Sequence, residues 1–349
     1  MPAGLPLTLP TAYTAAVGRY NTASLEFEKR KDEYNALAAF IRSSPSLLSQ
    51  TDINQEKQSF ERPYQIPVIK RVAINLVDGR ICDLDGQEAS TDMVVITFTV
   101  KGFRIKVPTE MLDQNYIKYV DLLSNLLYNA WHAWYQFMEI NSINYLESSK
   151  TTSLVAEPNY FTQDGAAYVG TIGMPFYSAV RYVSSRNLLS ANGQLLDVMS
   201  GAGMVTRYQM GAYGANNSVN QAMFVGGADP YPSNFLTPDA GFQETHYLFP
   251  VGAVGIYHWL SPNAANRHVH IQQQDYWWSE KDPMFGYFNA SVHFQAKCVE
   301  KTIGYSGAAE PTYYDIYEYT IDSSFNKSYT SVAGESPIIK YNLAPPATV

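Results

Sequence analysis

The spacing of hydrophobic residues changes several times along this chain, and each change predicts a new element. The first 16 residues carry three prolines among small polar residues and read as an extended arm that cannot form a core alone. From Gly18 to Ile41, Leu25, Phe27, Tyr34, Leu37, Ala38 and Ile41 form an apolar stripe, opposed by Glu26, Glu28, Lys29, Arg30, Lys31 and Asp32. That is the pattern of an amphipathic helix. The following RSSPSLLSQTDINQEKQSFERP is polar and rich in turn formers, and reads as a connector. The period then drops to two. Val72, Ile74 and Leu76 alternate in one run, Val94, Ile96, Phe98 and Val100 in another, and after Lys101 and Gly102 the alternation resumes through Phe103, Ile105 and Val107. Asp78-Gly79 and Asp85-Gly86 mark reversals, because glycine tolerates the positive φ of tight hairpin turns. Together these features predict a long, twisted two-stranded excursion with a polar tip near residues 85–92. Isolated ribbons are marginal in water, so its flanks are expected to lie on something else.

Helical spacing returns in TEMLDQNYIKYVDLLSNLLYNAWHAWYQFMEINSINYLESSK, residues 109–150. Tyr116, Val120, Leu123, Leu127, Ala130, Trp134 and Phe137 step by four and three into one seam, while Leu122, Leu126 and Tyr135 add apolar surface on a second side. From Asn115 to Leu146 the only formal charges are Lys118, Asp121 and Glu139. A helix of roughly 35 residues would run to about 50 Å and must lie against a large body. Thr109 or Asp113 can cap its start. Asp121, Ser124, Asn125, Asn129, His132 and Gln136 interrupt it too often for a membrane span. His132, beside Trp131 and Trp134, has no second metal ligand at i+4, so the reading is a core helix rather than a cofactor box.

Between Asn159 and Lys281, Gly, Ala, Asn and Ser are frequent and short apolar runs alternate with loops. Residues 178–187 and 191–199 suggest short helices or mixed elements. In HYLFPVGAVGIYHWLSP a turn at Pro250-Val251-Gly252 feeds a buried strand over residues 253–260. In MFGYFNASVHFQAKCVEKTIGYS, Phe288, Ala290, Val292, Phe294 and Ala296 alternate with mostly polar residues, as in an antiparallel strand. Aromatic alternation continues in YYDIYEYTID, before a proline-containing terminus. There is no internal repeat and no clean linker.

Composition adds a second theme. Charged residues make up 16% of the 349, against roughly 25% in a typical soluble domain, while tyrosine occurs 27 times and aromatics reach 14%. Tyr and Trp are favoured where protein meets protein, whereas a free surface needs charge for solubility. The combination suggests that much of the surface is covered by copies of the chain or by partners. A net charge of −8 argues against a nucleic-acid binder that works by neutralising phosphates; the densest basic run, EKRKDE, is interleaved with acids. Cys82 and Cys298 show no C-x-x-C spacing and read as free thiols in a reducing compartment. The opening MPAGLPLTLPTAYTAAVG lacks the basic start and long apolar run of a signal peptide.

Candidate chemistry is thin. SGAGM (residues 200–204) is a lone G-x-G and reads as a turn rather than a phosphate loop. His268 and His270 would share one face of a strand, but the nearest acid is Asp275, so a structural or surface role is expected. G-x-S-x-G, H-E-x-x-H and Walker patterns are missing from the sequence. Asp315 and Glu318 make no recognisable glycosidase pair, and the N-x-S triplets at Asn216, Asn289 and Asn326 carry little weight without an export signal. The expectation is a protein that is not an enzyme, with no catalytic, cofactor-binding or metal-binding residues. Its working positions would be interfaces, the ribbon tip at 85–92 and the amphipathic arm helix.

The order of parts is more telling. An arm with a helix precedes a long β excursion; KVPTEMLDQN enters a very long apolar helix; a Gly/Asn-rich α/β lobe containing FPVGAVGIYHWLSP follows, and YFNASVHFQAKCVE closes the layout. This layout is similar to the major capsid proteins of tailed double-stranded DNA bacteriophages. The resemblance implies an α+β, HK97-like capsid fold. Residues 1–65 would be the N-terminal arm, 66–108 the E-loop hairpin, 109–159 the peripheral domain with its spine helix, and 160–282 the α/β axial domain. Residues 283–349 would be the peripheral-domain return strand and C-terminal tail. FPVGAVGI resembles capsid proteins of phages infecting Bacteroidetes, including the crAss-like group.

The resemblance further implies hexamers and pentamers of an icosahedral head enclosing DNA without sequence-specific contacts. It implies portal, scaffolding and decoration partners, no membrane, and a place in the virion after assembly in the bacterial cytoplasm. No Lys and Asn pair can be assigned to an isopeptide cross-link from spacing, and the lack of a long charged N-terminal scaffolding region implies a separate scaffold. Three other readings stay open. A double jelly-roll capsid would show β alternation throughout, and a Tyr-rich glycan-binding or hydrolytic protein would show a groove with paired carboxylates. An encapsulin-type compartment would share the fold.

Overall fold

A computed structural model describes residues 13–16, 18, 34–50, 52–53, 57, 63–70, 90–108, 119–157, 159–172, 174–187, 194–205, 228–260, 275–302, 309–330 and 332–345. In chain order these form helix α1 (Asn35–Leu47), strands β1 (Tyr64–Ile69), β2 (Thr91–Ile96) and β3 (Thr99–Pro108), and helix α2 (Tyr119–Ser149). Strands β4 (Thr162–Asp164) and β5 (Ala167–Thr171) precede helix α3 (Met174–Arg186). The remainder is β6 (Leu195–Ser200), β7 (Ala228–Ser233), β8 (Glu244–Pro250), β9 (Val254–Trp259), β10 (Asp275–Lys281), β11 (Asn289–Thr302), β12 (Ala309–Lys327) and β13 (Ile339–Ala344).

The strands make three sheets. β1 and β2 pair alone; β10-β11-β12-β3, with β9 also on β12, make a five-stranded sheet; and β4-β5-β13-β8-β6-β7 make a six-stranded one. Asp322 and Ser323 pair with β3 and with β9 at once, so β9 occupies the edge opposite β3 and continues where β11 leaves off at Ser291↔Thr320. The expected turn at Pro250-Val251-Gly252 carries the chain from one large sheet to the other. Ala253 N donates to Pro250 O at 3.0 Å, and Gly252 has φ +86°, which suits the third position of a type II turn.

The long helix lies against the five-stranded sheet and α1. Leu123, Leu127, Trp131, Tyr135 and Leu146 are fully buried, and the buried seam continues past Phe137 through Met138, Ser142 and Ile143. The exposed positions, Asp121, Asn125, Asn129, Ala133, Ile140, Asn144 and Ser148, form a narrow stripe down the opposite side. Three of its polar interruptions therefore face water, while His132 bonds the Tyr34 hydroxyl. Each fully buried aliphatic or aromatic side chain contributes about 1.5–3 kcal/mol, which is why charge is so scarce here. Glu139 is the exception: it is buried and accepts bonds from Ala36 N (3.0 Å), Leu37 N (2.8 Å) and Ser233 Oγ (2.6 Å). It satisfies the first-turn N–H groups of α1, whose own N-cap residue Tyr34 offers no side-chain bond.

Several sequence expectations need correction. Residues 13–16, read as extended arm, are helical, as is Gly18; residues 17 and 19–33 lie outside the described residues. From Asn35, α1 runs through Ser43, Ser44 and Pro45, which polarity had assigned to a connector. Both serines are buried because they serve β9 and the turn that leads into it. Ser44 Oγ accepts from Ile256 N at 2.8 Å, Ser43 Oγ from Gly252 N at 2.9 Å, and Gln50 Oε1 from His258 N at 3.2 Å. Side chains thus fill backbone bonds that another strand would otherwise supply. The Val94–Val100 alternation is split between two sheets, β2 ending at Ile96 and β3 beginning at Thr99. Gly102 lies inside β3, where the carbonyl oxygen of Tyr319 comes within 2.1 Å of where a Cβ would stand.

In the α/β lobe, the run at 191–199 is the strand β6 from Leu195, buried at every position. The G-x-G after it opens a helical turn, residues 201–205. The C-terminal segment is more than a tail, since β13 sits between β5 and β8 inside the six-stranded sheet. Its Ile339, Tyr341 and Leu343 are fully buried.

Candidate functional site

The candidate working surfaces are two ribbons that leave the body. In the first, Tyr64↔Ile96, Ile66↔Val94 and Val68↔Asp92 share one face, and Gln65↔Val95, Pro67↔Met93 and Ile69↔Thr91 the other. The first face is seated toward its foot, where Tyr64 and Ile96 join Ile53 and Tyr257, with Leu47, Leu48, Ile66 and Phe98 around them. The second face presents Ile69 at 73% exposure, Met93 at 52% and Val95 at 50%. A two-stranded ribbon with apolar residues on both faces has no inner side of its own to bury them.

The foot is clamped electrostatically as well as by packing. Lys57, nearly buried, holds its ammonium 3.5 Å from the Trp259 ring centre and 5.0 Å from that of Phe98, and its carbonyl accepts from Trp259 Nε1 at 2.9 Å. Burial holds this lysine below its usual range and pushes Asp322, its nearby acid, up to about 6. Further out, the Tyr329 hydroxyl donates to Asp92 at 3.0 Å and Lys70 lies 3.6 Å away. Tyr329, the Met93 N–H and Lys70 together hold the Asp92 carboxyl below the usual range.

The second ribbon is the far end of the β11–β12 hairpin. β10 stops pairing at Asp275↔Gln295 and β3 at Pro108↔Tyr314, yet β11 and β12 continue from Cys298↔Tyr313 to Thr302↔Ala309. Those rows have no flanking strand among the described residues and span about 17 Å at the usual rise. Cys298 and Tyr313 (56%) are exposed there.

Of the positions expected to work at interfaces, residues 85–89 of the tip lie outside the described residues. Ser90 bonds Lys70 across the ribbon, its carbonyl accepting from Lys70 N at 2.8 Å. The described part of the arm helix is core instead: Ala36, Leu37, Ala39 and Phe40 are fully buried in the molecule's own centre, where Phe40 meets Tyr145, Phe249 and Phe325. The exposed apolar row of the first ribbon was missed, although QIPVI and MVV, apolar at successive positions rather than alternating ones, carry its signal. Cys298 is a free thiol; Cys82, His268 and His270 lie outside the described residues. Among the described residues, no group of three or more His, Cys, Asp or Glu could hold a metal ion. No helix there is long and apolar enough to cross a membrane.

Compared with known proteins, the chain matches no family model. No curated protein sequence matches it either. Solved structures do match. The capsid of Ralstonia phage GP4 aligns with TM-score 0.51 at 10% identity over 93% of this chain and 94% of that one. The cyanophage Pam1 capsid asymmetric unit aligns with TM-score 0.51 at 9% identity over 94% and 96%. The chain has the fold of these phage capsid structures. That is the α+β fold class expected from the order of parts, with α2 in the place of the spine helix.

Proposed function

We propose that this chain is a phage major capsid protein, a structural rather than catalytic protein that assembles with copies of itself into an icosahedral head and resides in the virion. One observation carries the reading: the fold is shared almost end to end with two phage capsids. The ribbon with an uncovered apolar row on one face, Ile69, Met93 and Val95, supports it independently, since a shell subunit can bury such a row on a neighbour. Scarce charge and abundant tyrosine fit a molecule whose surface is largely interface.

The finer assignments belong to the same proposal. Residues 1–65 serve as the arm and 66–108 as the E-loop, with β3 reaching into the body sheet. The spine helix anchors a peripheral domain over 109–159, residues 160–282 form most of an axial domain while lending β9 and β10 to the five-stranded, peripheral sheet, and 283–349 return to that sheet before β13 completes the axial one. Hexamers and pentamers, portal, scaffold and decoration partners, and DNA held without sequence-specific contacts follow from the capsid reading. The link to phages of Bacteroidetes rests on FPVGAVGI alone, and the two matched capsids come from a Ralstonia phage and a cyanophage.

A double jelly roll is disfavoured by the 31-residue helix. An encapsulin-type compartment differs by its contents, protein cargo instead of DNA. Negative-stain microscopy of the purified chain tests the proposal: closed shells, rings or tubes are expected, and a dispersed monomer at high concentration would overturn it.

A further inference from the structure

On the α3 face of the six-stranded sheet, three ionisable groups meet away from water. His246 and Glu244 stand two residues apart on β8 and Asp197 faces them from β6; their exposures are 0%, 0% and 2%. His246 Nδ1 lies 3.0 and 3.2 Å from the two Asp197 carboxyl oxygens, and Nε2 lies 3.2 Å from Glu244 Oε2. An ionised carboxylate can only accept, so with both acids ionised each ring nitrogen carries a hydrogen and the ring is an imidazolium. A neutral ring would turn a lone pair toward one of the two acids.

The elements around this cluster are seated on it. The Phe176 ring of α3 lies 4.9 Å from the imidazole. In the 201–205 turn, a Cβ on Gly203 would stand 2.9 Å from Met199 Sδ and 3.2 Å from His246 Cε1, so the turn rests directly on the ring. Among the described residues, the titratable groups nearest the ring on this face are Asp197 from β6, Glu244 from β8 and the Tyr341 hydroxyl from β13, with Tyr168 of β5 stacked on Tyr341 beyond; α3 and the turn bring Phe176 and the Gly203 backbone. Lys340, alternating with Tyr341 on β13, belongs to the other face, paired with Glu147 at 3.0 Å and Asp239 at 2.6 Å.

We propose that Asp197, His246 and Glu244 form a proton-held lock that seats α3 and the 201–205 turn on the sheet, and that alkali releases it. Burial alone would discharge the ring, but the two carboxylates outweigh it and raise His246 to about 9. The folded value lies above the ordinary 6.5. The lock therefore contributes in full below pH 6.5, where folded and unfolded chains both hold the proton. Between pH 6.5 and about 9 only the folded chain holds it, and the unfolding constant rises by up to about tenfold per pH unit. Above that window the contribution is gone. The inference concerns this lobe's own stability and does not depend on the capsid reading.

The test is urea unfolding of the full chain in dilute solution from pH 6 to 10, followed by tryptophan fluorescence. Wild type is compared with Asp197→Asn and with the double variant Asp197→Asn/Glu244→Gln. The unfolding constant of wild type should climb on the order of a hundredfold between pH 6.5 and 9. The climb should end at lower pH in Asp197→Asn and vanish in the double variant. Equal pH slopes in wild type and double variant would overturn the proposal. If the double variant does not fold, NMR titration of His246 among the six histidines decides alone. Titration near pH 9 supports the lock, and titration at or below 6.5 refutes it.

Discussion

The spine helix α2 and the first ribbon are both apolar far beyond what one wet face would allow, yet they solve the problem differently. The helix buries its surplus within the chain, between the five-stranded sheet and α1, and leaves to water a thin stripe of Asp, Asn, Ser and Ala with one isoleucine, Ile140. The ribbon buries only its foot and holds Ile69, Met93 and Val95 in the open. Scarce charge thus has two sources in one molecule, a helix whose apolar surplus is covered within the chain and a ribbon whose apolar row is left exposed. Composition alone does not separate folding from assembly, whereas exposure does.

The largest expected effect comes from disrupting the helix side. Leu127→Asp places an unpaired charge at a fully buried position and should abolish soluble folded protein, a loss of about 4–5 kcal/mol or more. Leu127→Ala should cost about 2–5 kcal/mol in urea unfolding. If Leu127→Asp expressed as soluble, cooperatively unfolding protein, α2 would not be the core element described. Next in size, Glu139→Ala strips the acceptor from two α1 N–H groups and from Ser233 Oγ. A loss of about 2–4 kcal/mol is expected, and a change below about 0.5 kcal/mol would deny the capping role. Burial pushes the Glu139 carboxyl above its usual range, against the pull of those bonds.

Effects on stability should nearly disappear at the exposed positions. Ile140→Ser, on the open stripe of α2 at 44% exposure, should change unfolding by less than about 0.5 kcal/mol. The ribbon variant Ile69→Ser/Met93→Ser/Val95→Ser should leave the unfolding midpoint close to wild type. If it destabilised the chain as Leu127→Ala does, the ribbon face would be internal and the contrast with the helix would fail.

The hydrophobic pattern of the chain reveals the elements that bury one face in a regular way. The 4-3 seam from Val120 to Phe137, the alternation from Phe288 to Phe294 and the turn at Pro250-Val251-Gly252 are all legible in the residues alone. What escaped reading depended on partners distant in sequence. Ser43 and Ser44 look like a connector until β9 and the turn before it, more than 200 residues later, supply the backbone groups they bond. Gly102 looks like a break until the Tyr319 carbonyl is placed against it. Leu195–Ser200, buried on both faces, lacks the period that tells strand from helix. His246, Glu244 and Asp197 are unremarkable in sequence because two strands bring them together. The interface candidates fared in the same way: the arm helix looked amphipathic and its described part is core, while the exposed ribbon row looked like ordinary strand.

The contrast between helix and ribbon requires that the ribbon's uncovered side chains be closed by another copy of the chain. Sedimentation velocity of wild type and the Ile69→Ser/Met93→Ser/Val95→Ser variant, over one concentration series, measures that closure. Burying half-exposed side chains of this size contributes about 1 kcal/mol each, so the variant should need on the order of a hundredfold more protein to assemble while remaining folded. Assembly of the variant at the wild-type concentration, or wild type that sediments only as a monomer, would show that the ribbon face is not an assembly surface.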